Sequence, residues 1–398
     1  MIQDLLIIKN EGERYYRFAN ADGKEWIMPA RNLRTAMELY QPSGKKGIML
    51  KKWFPLLHRI AVVRRTIHIE TLQCLLNDEL RHILEKAFNT TGIEVAIFFG
   101  TPSVHQKTTI QISKGNIILG YCKLSDNDEI SELFIKEAQL LHTLHKKGLK
   151  NIPECHFCGN LSDATKLFVQ STAKTLDSKV VHEWGEIHLR FLSKMRDATI
   201  QTLRFEDTDY FHTVEALTEH YDWLPDFVDK TLVEKVIREL YKRWQGMDVA
   251  FSAYHADFTP WNMFVEKGEL FVFDWEYAKM TYPPMLDRFH FFTQTAIFER
   301  HWYLEDIIRY INSDNGKWIN TDSYKAYLIE IIARFTLREQ GNVDGDIAKS
   351  MKLWNSLLSV LIPNSEFKEN EAHHLFSSLQ RLQRQSHRSQ DGARRLVA

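Results

Sequence analysis

The segment from residue 255 to residue 276 constrains this chain most, because three polar side chains flank a predicted hairpin there. Asp257 and Asn262 lie five residues apart in a loop, and Asp274 follows two short apolar runs that are separated by Lys267-Gly268. This pattern predicts two strands joined by a tight turn. A hairpin brings its ends together, so Asn262 and Asp274 should face one point. An amide oxygen and a carboxylate there suit Mg²⁺, and Asp257 is left free to accept a proton from a hydroxyl.

The order Asp, Asn, Asp in this segment indicates phosphoryl transfer. In kinase catalytic loops one Asp takes the proton of the attacking hydroxyl, while an Asn and a second Asp bind metal ions. A chance occurrence would require Asp257, Asn262 and Asp274 all to be incidental, and the hairpin between them argues against that.

The composition is that of an ordinary globular protein, and the chain is long enough for more than one domain. The chain has 398 residues, of which 44% are hydrophobic and 26% are charged. Its formal net charge of -1 argues against bulk binding of nucleic acid. No apolar run is long enough to predict a transmembrane segment, and the first residues lack the pattern of a signal peptide. We therefore expect a cytoplasmic protein.

Upstream of the polar segment, the chain predicts a hairpin, a third strand that ends near Lys123, and a helix that carries Glu137. A lysine needs a fixed place over nucleotide phosphates, and a carboxylate on a helix can hold it by an ion pair. Either residue alone would usually be solvent-exposed. Their order before a catalytic loop is that of a kinase small lobe, so we predict a pair between Lys123 and Glu137. The predicted elements are strands at 94–100, 107–112 and 116–124 and a helix at 126–147.

Residues 1–88 predict an additional α+β module. Short apolar runs before Tyr40 predict strands, and an apolar stripe over residues 71–88 predicts a helix. Between them, Lys45–Arg65 contains seven basic residues and no acidic one, interleaved with apolar residues. Such a segment can lie on an anionic membrane or hold a phosphorylated ligand. A solvated basic face over a small core is the commoner case, so peripheral membrane contact through Lys45–Arg65 stays an open alternative.

Cys155-His-Phe-Cys158 is a CxxC motif, with His142 and His145 upstream. A zinc site usually needs two such pairs. We therefore interpret these cysteines as two half-buried thiols flanking a strand in a reducing compartment.

The sequences HADFTPWN and FDWEYA resemble the aminoglycoside phosphotransferase and choline kinase superfamily, small-molecule kinases with a protein-kinase-like fold. The resemblance extends over about residues 92–292 and is sharpest from His255 to Glu276. It implies that Asp257 is the catalytic base and that Asn262 and Asp274 are metal ligands.

The resemblance also implies supporting roles. Lys123, held by Glu137, would contact the nucleotide phosphates, His255 would brace the catalytic loop, and Asp287 would support that loop from the next helix. Three departures from the family pattern stand out. The nucleotide loop has one glycine, Gly100, so that backbone amides and Ser103 would bind the phosphates. Ala256 stands where glycine or asparagine is commoner, and residues 1–88 have no counterpart in the minimal fold.

We therefore predict an α+β protein with a protein-kinase-like bilobal fold and an extra N-terminal α+β module. The small lobe should be an antiparallel sheet, and the large lobe should be mostly helical. The predicted divisions are 1–88 for the N-terminal module, 89–174 for the small lobe, 175–375 for the large lobe, and 376–398 for a flexible basic tail. The predicted function is phosphorylation of a small-molecule hydroxyl with ATP and Mg²⁺.

The acceptor remains open among several classes. FDWEYA favours choline or ethanolamine, whose cation would need acids and aromatic faces. The basic N-terminal segment favours a sugar or glycan precursor, towards which we lean, whereas an aminoglycoside would call for an acidic C-terminal end. A non-catalytic nucleotide-binding scaffold is the alternative of another class. The candidate rings are Trp275, Tyr277, Tyr282, Trp302 and Tyr303.

Overall fold

The computed structural model describes residues 5–42, 44–100, 107–162 and 164–362, which fold into two lobes. In these ranges the first lobe contains an eight-stranded sheet in the order β3-β1-β2-β4-β5-β6-β8-β7, and every neighbouring pair is antiparallel. The second lobe is mostly helical. The two-lobed α+β fold predicted from the sequence is thus confirmed.

The strands are β1 (Leu6–Ala19), β2 (Glu25–Pro29), β3 (Glu70–Leu76), β4 (Glu94–Phe99), β5 (Thr108–Lys114), β6 (Ile117–Ser125), β7 (Cys155–Asn160), β8 (Lys166–Ser171), β9 (Gln201–Arg204), β10 (Asp248–Tyr254), β11 (Met263–Glu266), β12 (Glu269–Val272) and β13 (Lys279–Tyr282).

The helices are α1 (Leu33–Ala36), α2 (Lys45–Leu57), α3 (Ala61–Thr66), α4 (Asp78–Ala87), α5 (Asp128–Lys146), α6 (Glu186–Thr199), α7 (Asp209–Glu219), α8 (Lys230–Trp244), α9 (Leu286–Phe298), α10 (Leu304–Ile311), α11 (Thr321–Arg338) and α12 (Gly345–Val360). Among the described helices, none combines the length and the apolar character needed to cross a membrane.

The N-terminal strands continue the small-lobe sheet edge to edge. β2 pairs with β4 through Trp26 and Phe98, and β1 and β3 extend the sheet beyond β2. Backbone hydrogen bonds therefore cross the predicted division at residues 88 and 89. The four-part division of the chain stays a prediction.

The helix predicted over residues 71–88 is wrong in its first half. Residues Glu70–Leu76 form β3, which pairs with β1, and alternation buries Cys74 and Leu76. The helix begins only after Asn77, whose side chain accepts hydrogen bonds from the N–H groups of Glu79 and Leu80. This is a typical N-cap, which fixes the start of α4.

Four hydrophobic clusters stabilise the described part of the chain, and one of them contains residues of both lobes. One packs α4 on one face of the sheet through Leu80 and Leu84. Another contains Tyr16, Trp26 and Phe54, and so it packs α2 against the N-terminal strands. A third joins α5 and β8 to the segment after β12 at Trp275. The largest lies among the large-lobe helices, with α11 at its centre. The third cluster is the one that positions the site, because it spans both lobes.

Candidate active site

The predicted hairpin is confirmed. β11 and β12 pair from Met263 to Val272, and the turn residues Lys267 and Gly268 have φ values of 52° and 80°, as a type I′ turn requires. The backbone N–H of Phe273 donates to the carbonyl of Asn262 at 3.0 Å. This closure brings Asn262 and the residue after Phe273, Asp274, to one end of the hairpin.

A cavity of about 940 Å³ lies between the lobes at this end. The small lobe lines it with residues of its sheet and of the segment after β8, and the large lobe lines it with the catalytic loop and hairpin. The lining includes Trp26, Phe98, Tyr121, Lys123, Gln170, Ser171 and Thr172 from the first lobe, and Trp261, Asn262, Phe264, Phe271, Phe273 and Asp274 from the second. The segment that follows β8 therefore lies at the cavity wall.

Lys123 and Glu137 form the predicted ion pair. The Lys123 Nζ donates to Glu137 Oε2 at 2.8 Å and to Asp274 Oδ1 at 2.6 Å. Glu137 is fully buried, and its other oxygen accepts the backbone N–H of Trp275 at 3.0 Å. Burial alone would lower the pKa of Lys123, but the surrounding carboxylates hold it above its ordinary value. Lys123 is therefore a fixed cation that links β6, α5 and the segment after β12.

Two neighbours of this pair were not predicted. Glu276 lies 3.9 Å from the Lys123 Nζ and also accepts a hydrogen bond from Lys107. Carboxylate oxygens of Glu137, Asp274 and Glu276 lie within 4.8 Å of one another. The FDWEYA run contains Glu276 and so offered a signal, whereas its contact with Lys107 spans 169 residues and left none in the sequence.

Asp257 is held from two sides. Its Oδ2 accepts from the Asn262 amide nitrogen at 2.7 Å, and its Oδ1 accepts from His290 Nε2 at 3.2 Å. Burial would raise the pKa of Asp257, but the His290 hydrogen bond outweighs it and the pKa lies below its usual range. The side chain remains 31% exposed. Asp257 is therefore an ionised, oriented carboxylate that a hydroxyl can reach. His290, on α9, carries no sequence signal for this contact.

His255 fixes the loop in the manner that the resemblance implies. Its Nδ1 accepts the backbone N–H of Asp257 at 3.2 Å, and its Nε2 contacts the carbonyl of Phe273 at 3.1 Å. These contacts require a neutral ring with the proton on Nε2. Burial, which lowers the pKa of His255 to about 4, keeps that ring neutral at pH 7. His255 thus ties the catalytic loop to the end of the hairpin.

Asp287 supports the same loop from the start of α9. Its two carboxylate oxygens accept the backbone N–H groups of His255 at 2.9 Å and Ala256 at 3.1 Å. Burial raises the pKa of Asp287 to about 7, although both hydrogen bonds oppose that shift.

Two residues of the site have left-handed backbone conformations. Ala256 has φ 71° and Asp274 has φ 70°. Aspartate tolerates this region, but alanine does so at a cost of about 1–2 kcal/mol. The left-handed conformation explains why glycine or asparagine would suit position 256, and it adds strain to a loop that Asp287 and His255 hold in place.

The nucleotide-loop candidates are only partly described. Gly100 follows β4, and its N–H donates to the carbonyl of Lys107 at 3.3 Å, which closes the β4–β5 connection. Ser103 and the basic tail at 376–398 lie outside the described residues.

The CxxC lies on β7, with both cysteines partly buried against the cluster that spans the lobes. Burial raises the pKa of both thiols, that of Cys155 to about 11. Among the described residues, the only group of His, Cys, Asp and Glu with metal-binding spacing is the one at Glu137, Asp274 and Glu276.

Comparison with known proteins agrees with this geometry. A family model described as the phosphotransferase enzyme family matches residues 131–304, a range that contains Glu137, the catalytic loop and Asp287. The resemblance to the aminoglycoside phosphotransferase and choline kinase superfamily is confirmed. No curated protein matches the chain.

Solved structures of this superfamily are similar to the chain at low sequence identity. A thermostable mutant of aminoglycoside phosphotransferase APH(4)-Ia, in complex with ADP and hygromycin B, is 13% identical with a TM-score of 0.49, covering 73% of this chain and 100% of its own. Amicoumacin kinase hAmiN, in complex with AMP-PNP, Ca²⁺ and Ami, is 12% identical with a TM-score of 0.40, covering 70% of this chain and 89% of its own. Choline kinase LicA from Streptococcus pneumoniae is 15% identical with a TM-score of 0.39, covering 71% of this chain and 100% of its own.

Proposed function

We propose that this protein is an ATP-dependent phosphotransferase that phosphorylates a hydroxyl group of a small molecule, with a sugar or glycan precursor as the acceptor we favour. One observation carries the proposal. A buried lysine held by a helix glutamate, and an Asn and Asp at the ends of one hairpin, meet at a single interlobe cavity, and a reachable, ionised aspartate is hydrogen-bonded to that Asn.

The residues divide the work of the reaction. Lys123 would donate to the phosphates of ATP, and aromatic side chains of the cavity would cover the base. The acceptor hydroxyl would attack the γ-phosphorus as the bond from phosphorus to the ADP oxygen breaks, and Asp257 would take the hydroxyl proton. The contacts from Asn262 and His290 hold Asp257 in one orientation, which is the main contribution a protein makes to this chemistry.

The donor set at the hairpin end suits a hard cation. The amide nitrogen of Asn262 is committed to Asp257, so its Oδ1 is the atom left for a metal. Asp274 supplies a carboxylate beside it. These oxygen ligands would hold Mg²⁺, which would neutralise charge on the phosphates.

The surroundings of the site disfavour a cationic acceptor such as choline or an aminoglycoside. Of the candidate rings, Trp275 and Tyr282 are buried in hydrophobic clusters. Arg334 and Arg338 lie 5.9 Å from the ring centroid of Tyr277. With two of these rings in the core and the third beside arginines, they do not form an aromatic cage for a cation, which favours a neutral or anionic acceptor such as a sugar or a sugar derivative.

The test is acceptor-stimulated release of ADP from ATP and Mg²⁺, across a panel of sugars, sugar phosphates, amino alcohols and aminoglycosides. At least one sugar-type acceptor should stimulate release, and Asp257→Asn should lower that rate by about 10²–10⁴-fold. Asp248→Asn is a matched control, since this exposed residue lies at the start of β10.

Stimulation only by choline, ethanolamine or an aminoglycoside would refute the sugar assignment but keep the kinase. Saturable ATP binding without turnover across the panel would favour the scaffold alternative. Unchanged turnover in Asp257→Asn would refute the assigned base.

A further inference from the structure

The outer face of α2 is apolar where a helix of this lobe would ordinarily be polar. Ile48, Met49, Trp53 and Leu56 are all exposed, with Leu56 71% and Met49 62% accessible. Helix α4, which packs on the opposite face of the sheet, shows the ordinary pattern, because its exposed side chains are polar and its leucines point inward. The exposed apolar surface continues at Leu57, the last residue of α2, and beyond the helix at Ile60, Val62 and Ile67.

The fold does not need this outer face for its own core. The inner face of α2 holds the helix through Phe54, which is 2% exposed and packs edge-on against Tyr16 at a centroid distance of 5.4 Å. Lys51 also points inward, where its Nζ lies 3.1 Å from Glu38. The helix is therefore anchored on one side, and its apolar residues on the other side project outward.

The same surface is strongly basic. Between Leu39 and Ile69 the sequence has seven Lys and Arg residues and no Asp or Glu. Those with exposed positions are Lys45, Lys46, Lys52, Arg59 and Arg65. Basic side chains interleaved with exposed Trp, Leu, Ile and Met are the composition that anionic lipid surfaces bind, because the cations contact headgroups while the apolar residues enter the acyl boundary. A nucleic acid would complement the charge but not the aliphatic residues.

We propose that the surface formed by residues 45–67, comprising α2, α3 and their connection, docks the protein on anionic lipid bilayers. Docking would orient the catalytic cavity as well, because Lys45 and Lys46 at the start of α2 belong to its lining. If the proposed function holds, the cavity mouth would then face acceptors that are themselves attached to the membrane.

The test is sedimentation of the full chain with vesicles of phosphatidylcholine alone and of phosphatidylcholine mixed with phosphatidylglycerol. We expect binding to the mixed vesicles that weakens as salt is added. Trp53→Ser/Leu56→Ser should weaken it by about tenfold or more, since both side chains enter the boundary region. Lys52→Gln/Arg59→Gln should weaken it by about fivefold per basic residue.

Ile117→Ser/Met247→Ser is the matched control. It removes two side chains that are 66% and 55% exposed, one on β6 and one between α8 and β10, and its vesicle binding should match that of the wild type. Unfolding midpoints of all variants should agree, because every substituted side chain is exposed.

Three results would overturn the proposal. The first is no binding to either vesicle, and the second is binding that survives Trp53→Ser/Leu56→Ser. The third is a concentration-dependent dimer or a DNA complex that depends on this face without any vesicle binding. Turnover of a soluble acceptor is measured separately. Loss of turnover with vesicle binding intact would count against the proposed function alone, and intact turnover without vesicle binding would count against the docking surface alone.

Discussion

Removal of the Lys123 charge should destabilise the fold strongly, because it exposes three buried or half-buried carboxylates to one another. The Lys123 Nζ lies 2.8 Å from Glu137, 2.6 Å from Asp274 and 3.9 Å from Glu276. Without it, acidic oxygens within 4.8 Å would repel each other. At an effective dielectric of about 20, each such pair of charges is unfavourable by about 3 kcal/mol or more.

The net loss in Lys123→Met should be smaller than the sum of these repulsions. Lys107 still contacts Glu276, and the group can take up a proton in place of the lost cation. Removing one partner of a buried ion pair typically lowers the free energy of unfolding by about 3–5 kcal/mol. We expect a decrease in that range near neutral pH.

The loss should depend on pH with a definite sign. Burial already raises the pKa of Glu137 with Lys123 present, and removing the lysine raises the carboxylate pKa values further. A carboxyl whose pKa is raised on folding favours the fold below its unfolded value, and that stability is lost as pH rises through the folded value. The deficit of Lys123→Met relative to wild type should therefore be larger at about pH 8 than at about pH 5.

Urea unfolding followed by tryptophan fluorescence at the two pH values measures this deficit. Lys136→Met, on α5 next to Glu137, is the control, since its exposed pair with Glu132 at 3.5 Å is worth less than about 1 kcal/mol. Adding Glu137→Gln to Lys123→Met should recover part of the loss by removing one acidic charge. A deficit below about 1 kcal/mol, or one that does not change with pH, would refute the reasoning.

Three further predictions concern the catalytic loop. Ala256→Gly should stabilise the protein by about 0.5–1 kcal/mol in urea unfolding, because relief of the φ of 71° exceeds the added chain entropy; a loss of stability would contradict the strain. His290→Leu should raise the pKa of Asp257, so the acid side of the pH–activity profile should move to higher pH; an unmoved profile would exclude Asp257 as the titrating base. Asp287→Asn should lower stability at about pH 5 by about 1–3 kcal/mol, since one backbone N–H loses its acceptor. Wild type should lose stability as pH rises through about 7, where Asp287 ionises, and Asp287→Asn should lack this pH dependence. Unfolding of both proteins at several pH values tests this difference.

The local parts of the site were predictable from sequence, because neighbouring residues dictate them. The hairpin from Met263 to Val272 needs only two apolar runs and Lys267-Gly268 between them. The pairing of Lys123 with Glu137 is longer in range, but the order of strand and helix determines it. In both cases, the order of the strands and helices along the chain is enough to bring the polar side chains together.

The errors arose where a partner far along the chain decided the structure. The spacing of Leu72, Leu75 and Leu76 fits a helix as well as a strand, and only pairing with β1 selects the strand. In the same way, no local sequence pattern predicts the contact of Lys107 with Glu276 or that of His290 with Asp257. Such contacts follow from tertiary packing within and between the lobes, which periodicity does not encode.

The geometry at Asp274 also suggests how the site is prepared for its ligands. Asp274 Oδ1 accepts from Lys123 at 2.6 Å, so its other oxygen and the Asn262 Oδ1 are the atoms left to face a cation. In the proposed function these oxygens would hold Mg²⁺, and Lys123 would donate to a phosphate of ATP, so that Asp274 and Lys123 would each face a group of opposite charge. Glu137 would keep Lys123 in place, because it contacts both the lysine and the backbone N–H of Trp275.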